Sequence, residues 1–364
     1  MTMLDSEQSR MINDAVKGLV DSNEFLGVTT WPDLGASVVF PGVYFQGSNY
    51  GYASGGEATS IPSPFGFTTA RNNVDRYAFP SDGNGTDVLD LGNYIIEGTG
   101  ASSSTHGYTT GGRTPSSDPE GPRFNIIQKF SFPTNSNYTD VGDLTAITVS
   151  ASGHSSTTDG FMAGGTQDPA TFPTATTTNT HTKIDKFPFS SDTNATDVMS
   201  LSTPLGRAAG ISSDAYGFSA GGSSTPPNAT PTVAYTIIQR FPFSVAVTSS
   251  DVGDATVPKV RATGTNSSTN GYVGGGWPPG GISNIIEKFP FASVGTASDI
   301  ADLNVSRGGA APASSTTHGY AAGGFASPPP YSAAIDKFPF SSDTNATSVG
   351  TISVARSSVA GQQY

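Results

Sequence analysis

Acid–base or metal chemistry has few residues to draw on in this chain. Four histidines are present (His106, His154, His181 and His318) and cysteine is absent. His106 and His318 each stand directly before a Gly-Tyr pair. The same place before four other Gly-aromatic pairs is held by Tyr50, Asp159, Tyr216 and Asn270. In a repeated chain such equivalents fall on a ring, near the axis or at one rim, so these six make a candidate axial ring that either lines a solvated channel or binds a ligand or ion. His181, in a Thr- and Asn-rich insertion, reads as a surface residue. No Gly-x-Ser-x-Gly elbow, His-Glu-x-x-His pair or phosphate loop occurs. The run from Asp192 to Asp197 has a calcium-loop look but lacks the glycine and distal glutamate of an EF-hand, so it reads as a turn. The expectation is no catalytic residue, no metal and no cofactor.

Composition narrows the class of partner. The net charge is −12, which argues against phosphate-backbone binding and hence against nucleic acid. No apolar run reaches the length of a membrane-spanning helix, and the first residues lack the apolar core of a secretory signal. Only 13% of residues are charged, while Gly (44) and Pro (26) abound, which suits short strands and many turns.

Elements able to position any site come from internal repetition. A Gly-aromatic-x-x-Gly-Gly motif starts at Gly51, Gly107, Gly160, Gly217, Gly271 and Gly319. A basic-aromatic pair follows each copy: Arg76-Tyr77, Lys129-Phe130, Lys186-Phe187, Arg240-Phe241, Lys288-Phe289 and Lys337-Phe338. A short apolar stretch comes third, as at Val198 to Leu201. The fourth segment usually opens with arginine: Arg207, Arg261, Arg307 and Arg356. These four segments are read as strands a to d of one antiparallel sheet. Strand b ends at the Gly-Gly pair, where a positive φ or close backbone approach is needed. Strand c ends or bulges at Pro188, Pro242, Pro290 and Pro339, because proline donates nothing to a ladder.

Six four-stranded units of about 50 residues make an all-β six-bladed β-propeller. The Gly-Gly closing strand b, the aromatic after a charged residue in strand c and the arginine opening strand a resemble kelch and galactose-oxidase propellers. Val88, Val141, Val198, Val252, Ile300 and Val349 stand where kelch repeats carry tryptophan, and without cysteine the oxidase's Cys-Tyr cross-link is excluded. The wording of Lys337 to Thr347, with Thr317 to Gly324, is similar to repeats in virion structural proteins of marine tailed phages, cyanophages especially. That resemblance covers about residue 37 to the C-terminus. It implies a non-enzymatic virion structural or adhesion protein of the tail, neck, fibre or capsid surface; a bacterial surface glycan-binding module is the alternative.

The chain is expected to divide into an N-terminal arm, 1–36, and a propeller, 37–364. Met11, Ile12, Val16 and Leu19 have helical spacing, and mark a short helix that packs on its own propeller or docks on other virion proteins. The b–c connections differ in length and sequence and share one face, where recognition of a host-surface glycan or receptor is expected. Phe65, Phe172, Trp277, Phe325 and Tyr331 are the candidate contact residues there. The sequence ends in a strand a without a strand b, and the copy at Gly51 has no strand a before it. Joining the two closes the ring and removes free sheet edges. Deleting residues 355–364 should therefore lower the melting temperature of the whole propeller; an unchanged melting curve would rule the closure out.

Overall fold

A computed structural model describes residues 46–59, 68–114, 122–167, 179–224, 233–326 and 330–364, and the short strands Thr29–Thr30 and Ser37–Val38. The chain divides into a leading unit, Met1–Tyr44, and a unit from Phe45 to Tyr364. Within the leading unit Ser37–Val38 pairs antiparallel with Thr29–Thr30. The helix expected over Met11 to Leu19 lies outside the described residues.

The second unit is a ring of six four-stranded antiparallel blades. Innermost are the a strands: Ala360–Gln363 in blade 1, then Thr99–Ser102, Ser152–Ser155, Ala209–Ser212, Thr263–Asn266 and Ala311–Ser314. Strand b of blade 1, Tyr50–Ser54, pairs with Ala360–Gln363, so the two ends of this unit meet in one sheet. Tyr364 then stacks on Phe132 of blade 2 at 5.2 Å.

Glycine is required where a strands meet. A Cβ on Gly100, Gly153, Gly210, Gly264 or Gly361 would lie 1.9–2.3 Å from the carbonyl oxygen of the neighbouring a strand. The sixth place is Pro312, tolerated because an innermost edge needs no ladder donor. The glycine of each Gly-aromatic motif answers a different demand. At Gly107 an added Cβ would meet the Phe130 ring of strand c at 2.3 Å. The motif's aromatic is then free to stack on the next blade. Tyr52, Tyr108, Phe161, Phe218, Tyr272 and Tyr320 each lie 4.6–5.0 Å from a second ring there: Phe132, Phe189, Phe243, Phe291, Phe340 and Phe79. Each such pair adds about 0.5–1.5 kcal/mol beyond its buried area. The expected glycine pairs all have positive φ, from Gly55-Gly56 to Gly323-Gly324. Strand c ends at the four expected prolines.

Two features depart from the local reading of the repeat. The c–d turns are staples between blades. Lys129, Lys288 and Lys337 bind Asp192, Asp343 and Asp82 of the following blade at 2.5–2.8 Å. Asn194, Asn345 and Asn84 in the same turns accept from the backbone N–H of Asp143, Asp302 and Thr351 in the preceding blade. The arginines, too, are not one set. Arg307 and Arg356 stand four residues before their a strands and are fully buried, whereas Arg207 and Arg261 stand two before.

The buried pair belong to a clamp found in every blade. The third residue of strand c is a buried acceptor: Asp75, Gln128, Asp185, Gln239, Glu287 or Asp336. Each grips the connection arriving from the preceding blade. Gln128 accepts from Gly92 N–H, Asp185 from Thr145, Gln239 from Ser202 and Thr203, and Glu287 from Thr256. In three blades the connection also supplies a buried cation, giving Arg356–Asp75 at 2.6 Å, Arg307–Asp336 at 2.9 Å and Lys259–Glu287. Where the acceptor is glutamine, that place holds Ile95 or Leu205. The ladder to strand d shifts register at this residue in all six blades, leaving Val88, Val141, Val198, Val252, Ile300 and Val349 as the bulged residues.

Lys259→Met alone strands a buried carboxylate and should cost about 3–5 kcal/mol. The double change Lys259→Leu with Glu287→Gln rebuilds the Leu205–Gln239 pair of blade 4 and should recover most of that loss in denaturant melts. A double variant no more stable than the single one would show that the clamp is not interchangeable.

Candidate functional site

Two residues before each a strand the backbone turns left-handed. The positions are Glu97, Ser150, Arg207, Arg261, Gly309 and Ser358, with φ of 55–67°. This conformation lets successive connections join around the axis. Ser150 N–H donates to Glu97 C=O, Arg207 to Ser150, Arg261 to Arg207 and Gly309 to Arg261, each at 2.8 Å. Glu97 N–H to Ser358 C=O and Val359 N–H to Gly309 C=O, both 3.3 Å, complete the circle. The ring frames an axial opening of about 130 Å³, with the glycines of the a strands below it.

A second ring surrounds the first. Glu57, Arg113, Thr166, Ser223, Trp277 and Phe325 directly follow the Gly-Gly pairs and form backbone ladders with the connections that enter the a strands. The b–c and d–a connections therefore share a face, as the sequence implies.

Charge crosses the opening. Glu97 of blade 2 receives Arg261 Nη2 from blade 5, on the opposite side of the ring, at 2.5 Å and Arg113 Nε at 2.8 Å. Burial would raise the Glu97 carboxyl, but Arg261, Arg113 and Arg207 outweigh it and hold the group at about 2. Arg261 also donates to Ser358 Oγ at 3.2 Å, and its guanidinium lies 5.2 Å from the Trp277 ring centroid. The Arg207 side chain makes no hydrogen bond or ion pair among the described residues, and its Nε is sealed from solvent without a partner. Burial lowers Arg207 to about 10, with Arg261 acting in the same direction and Glu97 against it.

The sequence-derived aromatics partly converge here. Trp277 meets Phe325 at 5.2 Å, and Phe325 meets Tyr331 at 5.7 Å, all edge-on. Trp277 and Phe325 are half-buried. Tyr331, expected to be exposed, is only 8% exposed, because its backbone bridges to Phe325 and draws it under the ladder. Phe65 and Phe172 lie outside the described residues.

Of the two places the sequence allows for the candidate axial ring, the structure gives the rim and not the axis. Tyr50, His106, Asp159, Tyr216, Asn270 and His318 each open strand b, one strand out from the axis, at the end opposite the Gly-Gly pair. Their contacts are local. His106 and His318 bond Thr105 and Thr317 at 2.8 Å, and Tyr50 and Tyr216 lie under Arg76 and Arg240 at 4.5 Å. Burial first, then Lys129 or Lys337, lowers both histidines. His154 is buried between blades 3 and 4, bonded to Ile211 C=O at 3.0 Å, and burial lowers it to about 4. Among the described residues no group of three or more His, Asp or Glu is placed to hold a metal.

No family model matches the chain, and no curated protein does. Among solved structures, that titled "Structure of YjhT" superposes with a TM-score of 0.62 at 12% identity, over 82% of this chain and 97% of that one. This is a six-bladed propeller similar in fold to YjhT. At such identity the likeness carries the architecture alone.

Sequence reasoning missed Glu97, Arg113 and the separate roles of the arginines. A signal was present: Glu97, Arg207 and Arg261 stand ten residues before Gly107, Gly217 and Gly271, whereas Arg307 stands twelve before Gly319. Because Glu97 is held below its unfolded range, it stabilises the fold above about pH 4.5, and that stability drains away as pH falls toward 2. Glu97→Gln should lower the melting temperature at neutral pH, and the gap to wild type should close on acidification through that window. A gap independent of pH would separate Glu97 from the acid transition.

Proposed function

We propose that this chain is a non-enzymatic virion structural or adhesion protein of a tailed phage, with the Gly-Gly face of the propeller as its recognition surface. The observation that carries the proposal is the repeat itself. The Lys-Phe-Pro-Phe-Ser-Ser-Asp-Thr-Asn-Ala-Thr wording resembles phage virion repeats, and in this fold it is inter-blade cement, with Lys337 bonded to Asp82 and Lys288 to Asp343. A scaffold cemented at one end leaves the other end free to vary, as the unlike b–c connections do. In this reading the N-terminal arm engages other virion proteins, and the propeller face meets a host-surface glycan or receptor.

The half-buried Trp277 and Phe325 beside Arg261 favour a glycan as the ligand, since aromatic faces stack on sugar rings while guanidinium groups bond their hydroxyls. The same observation supports the alternative of a bacterial surface module. Mass spectrometry of purified particles separates the two: the protein should co-purify with virions at stoichiometric level, and its absence would defeat the phage reading. On a glycan array, Trp277→Ala should weaken any sugar signal seen with the wild type.

A further inference from the structure

Charge at the axial mouth does not balance. Arg113, Arg207 and Arg261 converge on one carboxylate, Glu97, and both of its oxygens are taken by Arg113 and Arg261. Arg207 is left over. Its Nε is sealed from solvent and unpartnered, and its side chain lines the opening. Elsewhere the described ion pairs are matched one to one, as in Arg307–Asp336 and Arg356–Asp75. Among the charged residues that line the opening, Arg207 and Arg261 face Glu97 alone, a surplus of one positive charge that runs against the −12 of the whole chain.

A desolvated donor without an acceptor costs about 1–3 kcal/mol, more when charged. The groups around it are those of an anion site. Guanidinium offers a planar fork that matches the two oxygens of a carboxylate or two edges of a tetrahedral anion. Ser150 and Ser358 stand in the same ring, and the opening of about 130 Å³ admits a small group. The aromatic run from Trp277 to Tyr331 borders Arg261 and offers an apolar wall for whatever the anion is attached to.

We infer that the axial mouth on the Gly-Gly face binds an oxyanion, with Arg207 as its principal donor and Arg261 beside it. Glu97 acts there as a built-in competitor that occupies the other two guanidinium groups. The inference does not depend on a virion location, because binding is read on the isolated protein while location is read on particles.

Acetate, inorganic phosphate and sulfate are the probes, titrated into the full-length protein at constant ionic strength against chloride, with melting temperature and calorimetry as readouts. General salting effects of sulfate and phosphate act on any folded chain, so the comparison is with Arg207→Gln. That variant removes a desolvated donor with no partner among the described residues, so in chloride it should melt no lower than wild type. Wild type should show saturable binding of at least one probe, and Arg207→Gln should weaken it about tenfold or more. A preference for acetate over the tetrahedral ions would identify a carboxylate ligand, and the reverse a phosphate or sulfate group. The Arg207 Nε–H resonance should also move with probe concentration. No saturable binding, or equal binding by Arg207→Gln, would overturn the site.

Discussion

Everything in the propeller hangs on a buried acceptor in strand c that holds the connection from the preceding blade. Blade faces meet mostly by packing, and packing of flat faces leaves sliding and tilt poorly fixed. The acceptor removes that freedom. Arg356 shows how much one clamp can organise: it bonds Asp75 Oδ2, Gly55 C=O and Ala53 C=O together, tying strand c, the end of strand b and the incoming chain at one point. Arg307 does the same through Asp336, Gly323 C=O and Ala334 C=O. The neutral clamps of blades 2 and 4 reach the same geometry with glutamine and an aliphatic neighbour. A cation enters the clamp only where a carboxylate meets it, while Asp185 of blade 3 is satisfied by the backbone N–H and hydroxyl of Thr145.

Once the connections are fixed, the remaining contacts follow from distance. The a strands come so near one another that glycine fills five of six places, and the Gly-aromatic motif lets one ring lie flat so that another can reach the next blade. These demands recur identically in every blade. That is why the fold was legible: a steric constraint repeated six times leaves a periodic trace in the chain, and the glycine pairs, the aromatics and the closing strand were all readable from it.

The mouth was less legible because its residues come together only around the axis. Glu97 and Arg261 are 164 residues apart and meet because blades 2 and 5 face each other. No local motif records that. The four arginines look alike in sequence, yet two residues of offset send Arg307 and Arg356 into the clamp and Arg207 and Arg261 to the opening. The His106 and His318 ring failed for the opposite reason. Symmetry was read correctly, but sixfold equivalence holds at every radius of a propeller, so it could not say that strand b lies behind strand a. The run from Asp192 to Asp197 reads as a turn, and nothing local records that Asp192 and Asn194 bond Lys129 and Asp143 of the preceding blade.

The inner ring of the mouth invites a final comparison. Its backbone bonds run between N–H and C=O groups and would close with any side chain, and Gly309 shows that glycine serves. Left-handed backbone costs a non-glycine residue on the order of 1 kcal/mol or more. Five of the six places nevertheless carry side chains. Glu97 and Arg261 offset that cost by bridging the ring across its diameter. Ser358 is bonded by Arg261. Arg207 has no such return within the described protein, combining an unfavourable backbone with a desolvated, unmatched charge. Local backbone geometry alone would favour glycine there, and among the described residues nothing answers the arginine.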